Sequence, residues 1–347
     1  MVLADALAPA KHPMPVGCMF LKDYVLTVGF KDREGTLGQF SVDPEDPNKC
    51  AWQHTQPCGA PVCSVLVVEP FLFVGLDNGV IRVINTTNGN IQDLPEGHEG
   101  KQVTALCTYN SVLISAGARG AIASWQFDAA TGQFSPLKLI KDPALIPGGV
   151  LRMQVYEHYL FAGLGNGNLQ VYDFSADAVG RQEVKAHDEA ISGLGVTQLG
   201  PITCCTDGYV RAWPPSQDPS QPVVAAVPGQ QEPSGRPNNM SPCWDLVATR
   251  DAAGAEVALV IYEATTPKLW GIPVPGQTTD VRDGRLGRRG AIKGLHDARC
   301  ACADRDAGMF AIGSKSGNVR IYMWLGGGQA PAEAYAGPAG MAAGAGY

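Results

Sequence analysis

The 347-residue sequence predicts an all-β fold: a seven-bladed β-propeller closed by its N-terminal strand. Three observations predict it. A strand–turn–strand unit recurs seven times. Glycine marks the turn of six of these units at a near-constant spacing. The composition, with 42 Gly, 26 Pro and only 17% charged residues, suits many short strands joined by tight turns better than helices.

The unit is clearest in FLFVGLDNGVIRVI (71–84) and YLFAGLGNGNLQVYDF (159–174). VLISAGARGAIASWQF (112–127), PITCCTDGYVRAW (201–213) and MFAIGSKSGNVRIYMW (309–324) follow the same plan. YVLTVGFKDREGTLGQF (24–40) has a longer turn, and VALVIYEATTPKLWGI (257–272) replaces the glycine with Thr-Pro. The turn glycines are Gly35, Gly79, Gly120, Gly167, Gly208 and Gly317. Their gaps are 44, 41, 47 and 41, then 109, which spans two units. A hairpin every ~40–45 residues is a propeller period. Glycine recurs because a tight hairpin turn needs positive φ, which a Cβ opposes.

An apolar inner strand precedes each hairpin: VGCMFLK (16–22), VCSVLVV (62–68), VTALCTY (103–109), VLRMQVY (150–156), ISGLGVT (191–197), CWDLVAT (243–249) and RCACAD (299–304). A more polar outer segment follows each hairpin. Histidines His12, His54, His98, His187 and His296 stand just before the next inner strand, and only His158 falls outside this pattern. The last unit stops after its third strand. VLADALAPAKH (2–12) has the pattern of an outer strand running into its histidine. It is therefore expected to complete the last blade, which removes an open sheet edge. The propeller should span 1–325. Residues 214–242 read as a Pro-rich loop, with PVVAAV (222–227) as the outer strand of blade five. Residues 326–347 read as a flexible Gly/Ala-rich tail.

The net charge of −7 argues against a surface devoted to nucleic acid. The ten cysteines contain no C-x-x-C. Cys50, Cys58 and Cys63 approach a zinc spacing, but Val67 stands where a fourth ligand would be needed. Most cysteines lie in apolar runs and read as buried, reduced thiols. No metal or other cofactor is expected. No apolar run spans a membrane and no secretory leader is evident, so the expected location is the cytosol. GLGNGN (163–168) and GHEGKQ (97–102) lack the spacing and context of nucleotide loops.

The registered units, with GHEG at 97–100 and Tyr172-Asp173 in the Trp-Asp position, resemble WD-repeat β-propellers over nearly the whole chain. FLFVGLDNGVIRVIN and AIGSKSGNVRIYMW are also similar to the propeller of plant-type CCCH zinc-finger WD-repeat proteins. No intact finger is present, so the RNA-binding half of that family is not carried over. The resemblance implies a structural tetrad of His187, Thr203, Asp207 and Trp213. Its bonds would run from indole to hydroxyl, hydroxyl to imidazole and imidazole to carboxylate. The rival reading of these residues is a Thr/His/Asp nucleophilic triad. It needs an exposed hydroxyl in a cleft, which a middle strand does not offer. Around Trp125, Ser115 and His98 match the tetrad, but Arg119 occupies the carboxylate position.

Two features could meet a partner. One is Arg119 at its blade turn. The other is the basic run VRDGRLGRRGAIK (281–293), with Arg282, Arg285, Arg288, Arg289 and Lys293, read as a loop between blades six and seven. Guanidinium groups there could hold RNA phosphate or an acidic protein face. The resemblance implies a non-catalytic interaction scaffold in a multiprotein assembly, docking on the face that carries the loops before the inner strands. An RNA-associated propeller is the alternative. A propeller enzyme ranks third, because no cluster of acids and histidines falls on predicted loops.

Overall fold

A computed structural model of the chain describes residues 2–7, 14–44, 49–94, 98–140, 148–175, 180–197, 200–213, 230–231, 233–236, 239–251, 254–263, 266–272, 287–292, 295 and 297–325. These residues form seven four-stranded antiparallel sheets and one short two-stranded ribbon, Pro233–Arg236 with Asn239–Met240. Each sheet is one blade, with its strands in chain order from the axis outward. Blade one is Val16–Lys22, Val25–Phe30, Thr36–Val42 and Cys50–Pro57. Blade two is Val62–Val68, Phe71–Leu76, Ile81–Asn85 and Ile91–Leu94. Blade three is Val103–Tyr109, Val112–Gly117, Ile122–Asp128 and Gln133–Ile140. Blade four is Val150–Tyr156, Tyr159–Leu164, Asn168–Asp173 and Gly180–Lys185.

Blade five is Ile191–Thr197, Gly200–Cys205, Tyr209–Ala212 and Gln230–Gln231. The fourth strand described there is Gln230–Gln231; PVVAAV (222–227), read as this blade's outer strand, lies outside the described residues. Blade six is Cys243–Arg250, Glu256–Tyr262, Lys268–Gly271 and Gly287–Ala291. Blade seven is Ala298–Asp304, Met309–Ser314 and Val319–Leu325, with Val2–Leu7 outermost. That last pairing runs from Val2 opposite Leu325 to Leu7 opposite Arg320, so the chain's first strand closes its last blade. The tail at 326–347 lies outside the described residues.

The second strand of every blade is buried on both faces because a blade stands on either side of it. Leu26, Val28 and Phe30 are fully covered, and buried side chains of this size contribute roughly 1.5–3 kcal/mol each. Apolar residues therefore run continuously there instead of alternating. The core divides into seven clusters, one at each blade–blade interface. The cluster joining blades seven and one combines Val16, Phe30 and Phe40 with Met309, Ala311 and Ile321. Inner strands touch their neighbours all the way round, so the ring is closed.

The turn glycines behave as their spacing predicts. All six lie at φ between 65° and 90°. A second glycine position reflects close blade packing. A Cβ on Gly29 would lie 2.4 Å from the Val62 side chain, and one on Gly313 would lie 2.6 Å from Val16.

Every inner strand carries a β-bulge at the same place near its start, in all seven blades. A bulge inserts a residue and re-aims the side chains around it. Several of these side chains stitch one blade to the next. Ser64 Oγ donates to the Val103 carbonyl at 2.8 Å, and Ser192 Oγ donates to the Cys243 carbonyl at 2.7 Å. The residue after each second strand also repeats one contact: its amide donates back to the start of its own blade. Lys31 does so to Pro15, Asp77 to Pro61, Glu263 to Pro242 and Lys315 to Asp297. In blades one and seven this rim position, Lys31 and Lys315, lines one end of the central channel beside the bulges.

Candidate interaction site at the mouth of the channel

The residues of the expected tetrad meet. Trp213 Nε1 donates to Thr203 Oγ1 at 2.8 Å, and Thr203 Oγ1 lies 2.8 Å from His187 Nε2. His187 Nδ1 faces Asp207 Oδ2 at 3.6 Å, an ion-pair separation longer than a hydrogen bond. Asp207 Oδ1 also accepts from the Tyr209 amide at 2.8 Å. Burial lowers the His187 pKa, with Asp207 opposing it. Burial also works against the Asp207 charge, but His187 and the Tyr209 amide outweigh it and hold the carboxyl below its usual value. Thr203 is fully buried and its hydroxyl is engaged on both sides, so the geometry presents no nucleophile to solvent.

Cys205 joins His187 and Asp207 in the one grouping among the described residues with metal-ligand proximity. Burial pushes its thiol up to about 12, so the sulfur is protonated when no cation faces it. Cys204 and Cys205 face opposite sides of their strand, and both are buried, Cys204 against blade six.

Blade three holds the same network without its carboxylate. Trp125 Nε1 donates to Ser115 Oγ at 2.9 Å, which lies 2.8 Å from His98 Nε2. His98 Nδ1 has no partner among the described residues, and Arg119 at the carboxylate position is exposed. Burial pushes His98 down to about 4. Between pH 6.5 and 4 the unfolded chain therefore binds a proton that the folded chain refuses, and stability falls as pH drops, by up to about 1.4 kcal/mol per unit. Arg119→Asp should supply the missing anion, raise the His98 pKa and move the acid-unfolding midpoint to lower pH. Circular dichroism through an acid titration checks this, and an unchanged midpoint counts against it.

The basic run is not a free loop along its whole length. Gly287–Ala291 is the outer strand of blade six, with Arg288 opposite Trp270. Arg288 and Arg289 are placed there by backbone, and their side chains fall outside the described part. Arg282, Arg285 and Lys293 lie outside the described residues.

The site that sequence reading missed is the channel mouth. The channel encloses about 910 Å³ and is lined by inner-strand residues of all seven blades. Four cations line it: Lys31, Arg152, Arg299 and Lys315. One carboxylate does, Asp245. Arg152 and Asp245 stand at the same bulge position of blades four and six, and Arg152 Nε approaches Asp245 Oδ1 at 3.6 Å. Asp245 also accepts from the Leu246 amide at 2.9 Å and the Ala301 amide at 3.0 Å. Burial raises its pKa, and Arg152 and these amides oppose the rise. Arg299 lies over the Trp244 ring, 4.3 Å from its centroid. Lys31 and Lys315 are exposed and have no ion pair among the described residues. Asp77 and Glu263 hold the equivalent rim positions of blades two and six, but they do not line the channel.

No protein-family model and no curated protein sequence matches this chain. Solved structures do match it. U3-55K superposes with a TM-score of 0.73 at 14% identity, covering 92% of this chain and 98% of that one. The RRP9 WD40 repeats superpose with a TM-score of 0.71 at 13% identity, covering 92% and 97%. A chain of the mitotic checkpoint complex superposes with a TM-score of 0.68 at 14% identity, covering 92% and 93%. With its own strand order, these likenesses make the fold a seven-bladed β-propeller, similar to that of solved WD40-repeat structures.

Proposed function

We propose that the protein is a non-catalytic interaction scaffold, a WD-repeat subunit of a larger assembly that docks other proteins at the channel mouth. The observation that carries this is the channel mouth, lined at the bulges of six blades, with Lys31 and Lys315 on its rim lacking an ion pair among the described residues. Support comes from the matched propellers, one of which belongs to the mitotic checkpoint complex. The buried, doubly bonded Thr203 supports a structural role for the only nucleophile-like constellation that the sequence suggested.

A native pull-down of the full chain, split into nuclease-treated and untreated halves, tests the proposal. The same defined protein set is expected from both halves. A set that collapses after nuclease treatment overturns the scaffold reading and moves the basic run at 281–293, and an RNA-associated role, to first place. Capture of no defined set also overturns it.

A further inference from the structure

We infer that the channel mouth binds a short acidic segment of a partner protein, with aspartate or glutamate side chains on the rim and an apolar side chain between them entering the channel. The inference rests on the scaffold reading and names the chemistry of what is docked.

The first observation is charge. A chain with a net charge of −7 places four cations and a single carboxylate on this cavity. The carboxylate, Asp245, is already held by two amides and Arg152. Lys31, Arg299 and Lys315 are left without an anion among the described residues, and all three belong to the adjacent blades seven and one. The cationic arc is therefore the junction of blades seven and one; beyond it stand Asp77, whose Oδ1 is 4.0 Å from the channel-lining Cys63 Sγ, and the neutralised Arg152–Asp245 pair. An acidic segment lying across the junction of blades seven and one would meet all three.

The second observation is order. A guanidinium stacked on an aromatic face keeps its in-plane N–H donors free for a carboxylate. Arg299 is held this way by Trp244 from the adjacent blade six. Less side-chain entropy is then lost when an anion binds.

The third observation is depth. Beyond the rim, the same inner strands line the channel with half-buried apolar side chains: Val65, Leu66, Leu106, Val155 and Val247. A free phosphate ion would satisfy the rim and leave this surface wet. A nucleic acid strand would need aromatic platforms for its bases, and the one aromatic near the rim, Trp244, is already covered by Arg299. A peptide that alternates acidic and apolar side chains meets both surfaces at once.

Random peptides displayed on phage are the probe, selected against the intact protein. Selected peptides should carry Asp or Glu flanking an apolar residue. A synthetic copy should bind with an affinity that falls as salt rises. Amide replacement of its acids should weaken binding about tenfold, and so should the double variant Lys31→Glu/Lys315→Glu. Both lysines are exposed, so the variant should fold; Lys31→Gln/Lys315→Gln gives a milder version of the same comparison.

Neutral or basic peptides, no selected peptides, or unchanged binding by the folded double variant would each overturn the inference. So would binding of oligouridine, with no peptide bound, that is lost in the double variant. The scaffold reading fails separately. If the double variant retains the nuclease-resistant protein set, docking stands and the acidic mouth does not. If the wild type retains no set, both fall.

Discussion

Removal of Val2–Leu7 should make the protein associate through the edge it exposes. The strand pairs at six positions with Val319–Leu325, and nothing else covers that side of blade seven among the described residues. Ladder hydrogen bonds contribute roughly 0.5–1.5 kcal/mol each. Ordering six residues costs about as much, so the net change in folding free energy is modest. The exposed edge is the larger consequence. Unpaired N–H and C=O groups along a full-length strand are a template for a second chain. Size-exclusion chromatography should show early-eluting material, and a peptide of sequence VLADAL added in trans should restore the elution of the full chain. A deletion that elutes and melts like the full chain would show that closure does not depend on this strand.

Thr203→Val should be among the most destabilising single substitutions in blade five. Among the described residues the hydroxyl is the one hydrogen-bond partner of the Trp213 indole and of His187 Nε2, and all three residues are buried. Valine has the right shape and no hydroxyl, so it strands a donor and an imidazole nitrogen together. Each orphaned group costs about 1–3 kcal/mol, which puts the loss at roughly 2–5 kcal/mol. Asp207→Ala should cost less, about 1–3 kcal/mol, because its contact with His187 is 3.6 Å and the ring keeps its Thr203 bond. Thermal melts of the two variants check the order. Equal and negligible losses would remove this network from the account of stability.

Most of the fold was legible because its determinants are local and repeated. Positive φ at six turns demands glycine, and two-sided burial demands apolar runs, so both leave a periodic trace in the sequence. The closing strand was legible for the same reason: VLADALAPAKH matches an outer-strand pattern with no other blade to join. Blade five's outer edge was the least legible, because its Pro-rich segment has no such period. The basic run was read as a loop because Gly287, Arg288, Arg289 and Gly290 carry no strand signature, yet blade six needs a fourth strand and takes it there.

The tetrad was visible as spacing within one unit. The mouth was not. Lys31, Arg152, Arg299 and Lys315 lie in three different blades and look like ordinary surface cations one at a time. Aligning the seven units would have placed Lys31 and Lys315 at one position, and Arg152 with Asp245 at another. Only ring closure brings the two ends of the chain, and hence those lysines, side by side.

The closure also sets a timetable for synthesis. Val2 leaves the ribosome more than three hundred residues before its partner Leu325. Blades one to six contain only local hairpins and can form as they emerge, since nearby pairings close quickly. The final blade joins the two most distant segments of the propeller, the slowest kind of contact. Throughout translation the first strand has no lawful partner, and the growing stack of blades is an arc with two sticky ends. A nascent chain stalled before residue 319 would therefore hold six blades and one hairpin with no ring, and would be a natural client for a chaperone that holds strands apart until the last one arrives.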